Sequence, residues 1–218
     1  GSDTLVTFTN AAIDARASTI DLSANNSLKL AVSNIKVGGE NLLRNTGYQQ
    51  GTAYHTSWSA SGNVPLYINA DGKDPYGGNA LYWDPPPGPN AIIYNTGLLG
   101  KPIIAGKEYT VSFWVKYGGT FDVQAYDDNL GATIVFGTIN PEGTVVGDWF
   151  RYVATATATK SSTNSTCYIN TTLGWRSLAR WKLEEGNKAT PYSPSPSDPA
   201  SGVKTSSVDV NSNGIFMD

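Results

Sequence analysis

One cysteine, one histidine and one methionine are all the chain offers, in 218 residues, of the types that bind soft metals or run thiol chemistry. A lone Cys167 cannot close an internal disulfide, so the fold must rest on its core, and a disulfide-rich secreted scaffold is excluded. A lone His55 excludes a His-rich metal centre, and any histidine-based triad would have to be built on that one residue. Charged residues make up only 15 % of the chain, the formal net charge is −3 and there is no basic run. Nucleic-acid binding therefore has no electrostatic footprint. No apolar run approaches the ~20 residues a membrane span needs. No glycine-rich phosphate loop has the required spacing. No window of 11 or more residues repeats with the 3.6-residue period of an amphipathic helix.

What is abundant is turn formers and rings: 23 Gly, 12 Pro, 12 Tyr and 6 Trp, the composition of short aromatic strands joined by many turns. Strand candidates are Asn41–Arg44, Val64–Ile68, Ala80–Trp83, Ala91–Tyr94, Glu108–Tyr117, Thr120–Asp127, Thr133–Phe136, Trp149–Ala158, Cys167–Thr172 and Ala179–Glu184. Turn signals separate them at Asp71-Gly72, Tyr76-Gly77-Gly78, Gly118-Gly119, Asp128-Asn129 and Asn140-Pro-Glu-Gly143. Pro85 to Pro89 must form a loop at one end of the domain. The fold class is all-β, a β-sandwich of about 150 residues, enough to bury roughly two thirds of its unfolded surface without crosslinks. Along the central strand, Tyr109, Val111, Phe113, Val115 and Tyr117 should point between the sheets, with Phe121, Val123 and Ala125 continuing that face. Thr110, Ser112, Trp114 and Lys116 should point outward, with Asp122, Gln124 and Tyr126 on the same outer surface.

The flanks differ in texture. Residues 1–38 hold short alternating pieces such as Ser27-Leu-Lys-Leu-Ala-Val-Ser33, with too little apolar area to fold alone. Residues 195–218 resemble them. Gly1-Ser2 reads as a cloning scar. The expected organisation is an arm over 1–38, a sandwich over 39–194 and a second arm over 195–218.

A sugar ring presents an apolar C–H face and a rim of hydroxyls. A protein that binds one needs flat aromatic surface beside fixed polar groups. Two constellations qualify. The outward sheet face offers Trp114, Lys116, Gln124 and Tyr126; a loop rim offers Tyr54-His55-Thr-Ser-Trp58, Tyr82-Trp83-Asp84 and Gly174-Trp175-Arg176. The candidate carbohydrate-binding residues are therefore Trp58, Tyr82, Trp83, Trp114, Gln124, Tyr126, Trp175 and Arg176. Trp149 and Trp181 read as structural. Trp83 reads either way, because Leu81 shares its side, and a loop or arm covering the face would bury Trp114. His55 reads as a polar loop residue. The carboxylate pairs Asp127-Asp128 and Glu184-Glu185 are adjacent on the chain and point to opposite faces, whereas glycoside hydrolysis needs two carboxyls facing across a cleft. The chain does not read as an enzyme.

Lys182-Leu-Glu-Glu-Gly-Asn-Lys-Ala-Thr-Pro-Tyr-Ser-Pro194, with the Ser-Pro-Ser-Asp that follows, resembles the closing stretch of jelly-roll carbohydrate-binding modules in tail and baseplate proteins of phages of Gram-positive bacteria. Asn41-Leu-Leu-Arg-Asn45 resembles their opening strand, and Tyr109-Thr-Val-Ser-Phe-Trp-Val-Lys116 a central one. The resemblance covers residues 39 to 194. It implies a jelly-roll sandwich and non-catalytic adhesion to saccharides of a host cell wall, on the virion at the tail tip. Its implied partners are wall polysaccharide and the parent tail or baseplate proteins, with room for a homotrimer in the full-length protein. It requires no cofactor, but similar modules often hold a structural calcium ion near the first and last strands, where Glu40, Asn41 and Glu185 supply oxygens. The rival is a structural domain whose outward aromatics bury against another tail protein, since sandwiches do both jobs.

Overall fold

The computed structural model describes residues 38–59, 61–84, 91–96, 99, 101–172, 174 and 176–199, and the backbone of 209–211 and 214–216. Expectations for residues 1–37, Pro85–Pro89 and Trp175 lie outside the described residues. The strands of the main unit are β1 (His55–Ser59), β2 (Gly62–Asn63), β3 (Leu66–Ile68), β4 (Leu81–Trp83), β5 (Ala91–Asn95), β6 (Glu108–Lys116), β7 (Phe121–Asp127), β8 (Gly131–Ile139), β9 (Pro141–Val146), β10 (Trp149–Thr157), β11 (Thr166–Thr171) and β12 (Arg176–Glu185). They form two six-stranded antiparallel sheets, ordered β2-β1-β5-β11-β7-β8 and β3-β4-β12-β6-β10-β9, in an all-β jelly-roll sandwich. Two further strands, β13 (Asp209–Asn211) and β14 (Gly214–Phe216), pair with each other.

Two-residue alternation builds the core as expected. Tyr109, Val111, Phe113 and Val115 of β6 are fully buried, as are Val123 and Ala125 of β7, with Phe121 nearly so. Phe113 stacks on Tyr152 of β10 with centroids 5.0 Å apart, and Phe121 meets both rings edge-on. Each such side chain contributes roughly 1.5–3 kcal/mol by leaving water. Trp83 and Trp181 lie in the same core.

Tyr117 departs from the expected inner set. It follows β6 at φ 67°, begins a run with Gly118 and Gly119 at positive φ, and is 45 % exposed. That run carries the chain from the second sheet to the first. β7 therefore does not neighbour β6, and Gln124 and Tyr126 lie on the opposite outer surface from Trp114.

Three strand expectations also change. Asn41–Arg44 is not a strand, although Leu42 N–H donates to the Leu183 carbonyl of β12 at 2.8 Å. The buried Asn41 side chain takes over ladder positions: its Oδ1 accepts from the N–H groups of Leu43 and Leu183, and its Nδ2 donates to Thr46, Trp181 and Ser193. Pro141 to Gly143, expected as a turn, opens β9; this is the edge of its sheet, where a strand-initial proline sacrifices no ladder bond. His55 to Trp58, expected as loop rim, is β1. Contacts run past residue 194: Asp198 accepts from Asn45 N–H at 2.8 Å, and Ser195 is buried.

Candidate functional site

Strand register assembles one aromatic surface on the outward face of the first sheet. Thr56 pairs with Tyr94, Tyr94 with Tyr168, Tyr168 with Gln124 and Gln124 with Val135, so one row crosses β1, β5, β11, β7 and β8. A parallel row runs Trp58, Ile92, Asn170, Asp122 and Thr138. Two residues further along, Thr166 pairs with Tyr126. Residues paired across antiparallel strands sit close enough for rings to touch. Accordingly, the Tyr94 and Tyr168 centroids are 5.7 Å apart, and those of Tyr126 and Tyr168 6.3 Å.

These rings line an open groove of about 650 Å³, together with Thr56, Ile92, Asp128 and Thr166. Trp58, 46 % exposed, stands on the same face towards the β2 edge, opposite Asn63. Partial burial, followed by the nearby Asp128 carboxylate, raises the Tyr94 hydroxyl above its ordinary range; burial does the same for Tyr168. Both phenols stay protonated at neutral pH and can donate as well as accept hydrogen bonds. Asp122 is engaged by the Thr138 hydroxyl at 2.5 Å. The face thus combines ring surface with amide, hydroxyl and carboxylate groups at fixed strand positions.

The structure does not bring the expected site residues together. Trp58, Gln124 and Tyr126 share this face. Tyr82 and Trp114 belong to the outward side of the second sheet, where Tyr82 packs on Tyr67 with centroids 6.4 Å apart. Trp83 is fully buried in the core and offers no ring face to a ligand. Arg176 pairs across β4 with Trp83, and burial lowers its guanidinium below the usual range. Trp175 lies outside the described residues. Trp114 is only 6 % exposed, because Tyr76 meets it edge-on at 5.6 Å and Trp149, Val146, Ala80 and Ala179 surround it. It is no open platform. Trp149, expected as a structural residue, packs in this outer cluster.

Sequence reasoning missed Tyr94 and Tyr168. The signal was present in the alternation of β5, which puts Ile92 and Tyr94 opposite Ala91, Ile93 and Asn95, and of β11, which puts Thr166, Tyr168 and Asn170 opposite Cys167 and Ile169.

His55 faces inward, between the rings of Tyr48 and Trp181. Asn95 Nδ2 donates to its Nε2 at 3.2 Å, so the proton sits on Nδ1, which donates to the Ala53 carbonyl at 3.0 Å. Burial lowers its pKa from 6.5 to about 4. It is a neutral structural residue.

Each of the expected calcium donors has a partner within the chain. Glu40 pairs with Lys101, Glu185 with Lys107, and Asn41 is committed to backbone groups. No group of three or more His, Cys, Asp or Glu suited to a metal occurs among the described residues.

No family model and no curated protein matches the chain. Among solved structures it is similar to the arabinose-bound α-L-arabinofuranosidase MgGH51, at 16 % identity and a TM-score of 0.53 over 67 % of this chain and 26 % of that one. It is also similar to the enzymatically active domain of tailspike protein 4 of bacteriophage CBA120, at 15 % identity and a TM-score of 0.50 over 66 % and 21 % of the two chains. The N-terminal cellulose-binding domain of Cellulomonas fimi β-1,4-glucanase C aligns at 12 % identity and a TM-score of 0.41, over 62 % and 90 %. The chain thus spans about a quarter or less of the first two structures, and what it shares with them is the β-sandwich fold.

Proposed function

We propose that the chain is a non-catalytic carbohydrate-binding module whose ligand lies along the outward face of the first sheet. One observation carries this reading: Tyr94, Tyr168 and Tyr126 stand side by side on three adjacent strands, lining a groove of about 650 Å³ with Thr56, Thr166 and Asp128. A saccharide face stacked on one tyrosine removes some tens of Å² from water, worth roughly 1–2 kcal/mol. The polar groups between the rings add selectivity by hydrogen-bonding the hydroxyl rim. An open groove suits a stretch of polymer rather than a buried monosaccharide.

The biological setting we propose is adhesion of a phage tail or baseplate protein to the wall polysaccharide of a Gram-positive host. It is supported by the resemblance of the closing stretch Lys182–Pro194. Weak single sites would then gain as much as ~10²–10⁴ in avidity from several copies on one tail.

The test is binding of the labelled chain to intact Gram-positive cells and extracted wall polysaccharide, beside Tyr94→Ala and Tyr168→Ala. Each variant should fold and bind about tenfold more weakly, the equivalent of one lost stacking contact. Unchanged binding in both would remove the face as the site. Absence of binding to any wall preparation would favour a structural domain that docks on a neighbouring tail protein, and release of reducing ends would show an enzyme.

A further inference from the structure

The opposite side of the sandwich holds a second cavity of about 420 Å³ over the outward face of the second sheet. Trp114 is among the residues that line it, together with two cations, Arg151 and Arg180. Arg151 of β10 pairs directly with Trp114 from one side, and Ala179 of β12 pairs with it from the other. Between Ala179 and Lys182 the β12 register shifts, and Arg180 sits at that irregularity with φ 52°. A bulge of this kind inserts a residue and re-aims its side chain, and a left-handed arginine persists only where its surroundings hold it.

Those surroundings are well defined. The Arg180 guanidinium lies over the Tyr76 ring at 4.5 Å, with the Tyr192 ring at 5.5 Å. Its Nε donates to Asp74 Oδ2 at 2.7 Å. The other oxygen of Asp74 accepts from the N–H groups of Tyr76 and Gly78, so one buried carboxylate fixes both the loop and the arginine. A Cβ at Gly78 would come within 2.5 Å of that carboxylate, so the turn closes around it only with glycine there. Arg151 donates one nitrogen to Glu142 at 2.7 Å. No residue among those described accepts from the two terminal nitrogens of Arg180 or from the remaining nitrogens of Arg151. Arg151 and Arg180 both line the cavity, whereas their counter-charges, Asp74 and Glu142, do not; among the described residues no carboxylate lines it.

We propose that this cavity is a second ligand site, which takes the oxyanion, carboxylate or phosphate ester, of an acidic saccharide or polyol unit. Two guanidinium groups with spare donors match the paired oxygens of such a group, and the exposed Tyr76 ring that lines the cavity with them offers apolar surface to its carbon skeleton. The site lies on the other sheet from the tyrosine groove. Its occupancy does not depend on the groove.

The test is a titration of the purified chain with glucuronate, glycerol phosphate and glucose, followed through the arginine Nε–H and backbone NMR signals. Signals of Arg151 and Arg180 should move with one or both anions, saturate, weaken with added salt and stay still with glucose. The anion that acts distinguishes a uronate from a phosphate polymer. Arg151→Gln, whose partner Glu142 is partly exposed, should weaken the response at least about tenfold. Arg180→Gln should do the same, but it leaves Asp74 buried without its ion pair, so Arg151→Gln decides if that variant fails to fold. Tyr94→Ala should titrate like the parent chain. The proposal is overturned if neither anion moves these signals, if glucose moves them equally, or if Arg151→Gln titrates unchanged.

Discussion

The two outward sheet faces follow the same alternating pattern and end in opposite states. On the first sheet, Trp58 and Tyr126 remain exposed and Tyr94 and Tyr168 half-buried, with no described segment laid over them. On the second, Thr110, Ser112, Trp114, Lys182 and Glu184 are all buried, although each points away from the core. Local segments make the difference. Lys116 donates to the Asp71 carbonyl at 2.8 Å, Tyr76 packs against Trp114, and Thr190 and Pro191 close over Lys182 and Glu184. Alternation fixes which way a side chain points; the segments that return over the sheet decide whether it meets water.

Breaking the covered face at its ion pair should have the largest effect. Lys182 and Glu184 are each 1 % exposed and 3.2 Å apart. Thr190 bridges them, its N–H and hydroxyl donating to the two Glu184 oxygens at 2.8 and 2.6 Å. Removing one partner leaves an uncompensated buried charge, at a cost of about 3–5 kcal/mol. Glu184→Ala and Lys182→Ala should each lower the urea midpoint accordingly, and the double variant should cost less than their sum. Additive losses would mean that the two charges do not sense each other.

Trp114→Ala tests the same cover through apolar packing. Emptying the space between Tyr76, Trp149 and Val146 should cost about 3 kcal/mol. A loss under about 0.5 kcal/mol would mean that the cluster behaves as open surface.

His55, on the inward side of the first sheet, sharpens the comparison through pH. The unfolded chain takes up a proton near 6.5, whereas burial delays this in the folded chain to about 4. Its contribution is therefore complete above pH 6.5 and is lost as the pH falls towards 4, by roughly 3 kcal/mol in all. Denaturant unfolding of the parent chain should weaken across that interval, and His55→Asn should flatten the slope. Asp127 acts in a more acid window. The Ser162 hydroxyl and the Asn129 N–H hold its carboxyl below the ordinary 3.8, so its contribution is lost only as the pH falls below that value. A parent chain with constant stability from pH 6.5 to 4 would show that His55 is hydrated.

The sandwich, its core strands and the inward set from Tyr109 to Val115 were legible because the alternation of β6 is strong and its register unambiguous. Asn41–Arg44 was misread because nothing in strand propensity signals that Asn41 will occupy ladder positions with its own side chain. Gln124 and Tyr126 lie on the other surface from the one expected because Gly118-Gly119, a turn signal in the sequence, carries the chain to the other sheet. Trp83 and Trp114 look alike in composition, but each was decided by contacts far away in sequence: Trp83 by the core, Trp114 by the loop around Asp74. The burial of Lys182 and Glu184 is set by Thr190, which folds back onto both from beyond the Gly186 turn, a contact that strand alternation does not encode.

The smallest effect on stability should come from Trp58→Ala. Its ring is 46 % exposed, and its register partners on the flanking strands are Asn63 and Ile92. Little apolar surface returns to water when it is removed, so unfolding should shift by no more than about 0.5 kcal/mol. The same ring stands on the face of the tyrosine groove, where it can extend a bound polymer by one stacked unit, worth roughly 1 kcal/mol. Affinity for a long saccharide should therefore fall about fivefold, while a fragment short enough to cover only Tyr94, Tyr168 and Tyr126 binds as before. If Trp58→Ala destabilised the fold as much as Trp114→Ala, the contrast between an open and a covered face would collapse. If it changed neither stability nor affinity for long polymers, the groove would end at β5.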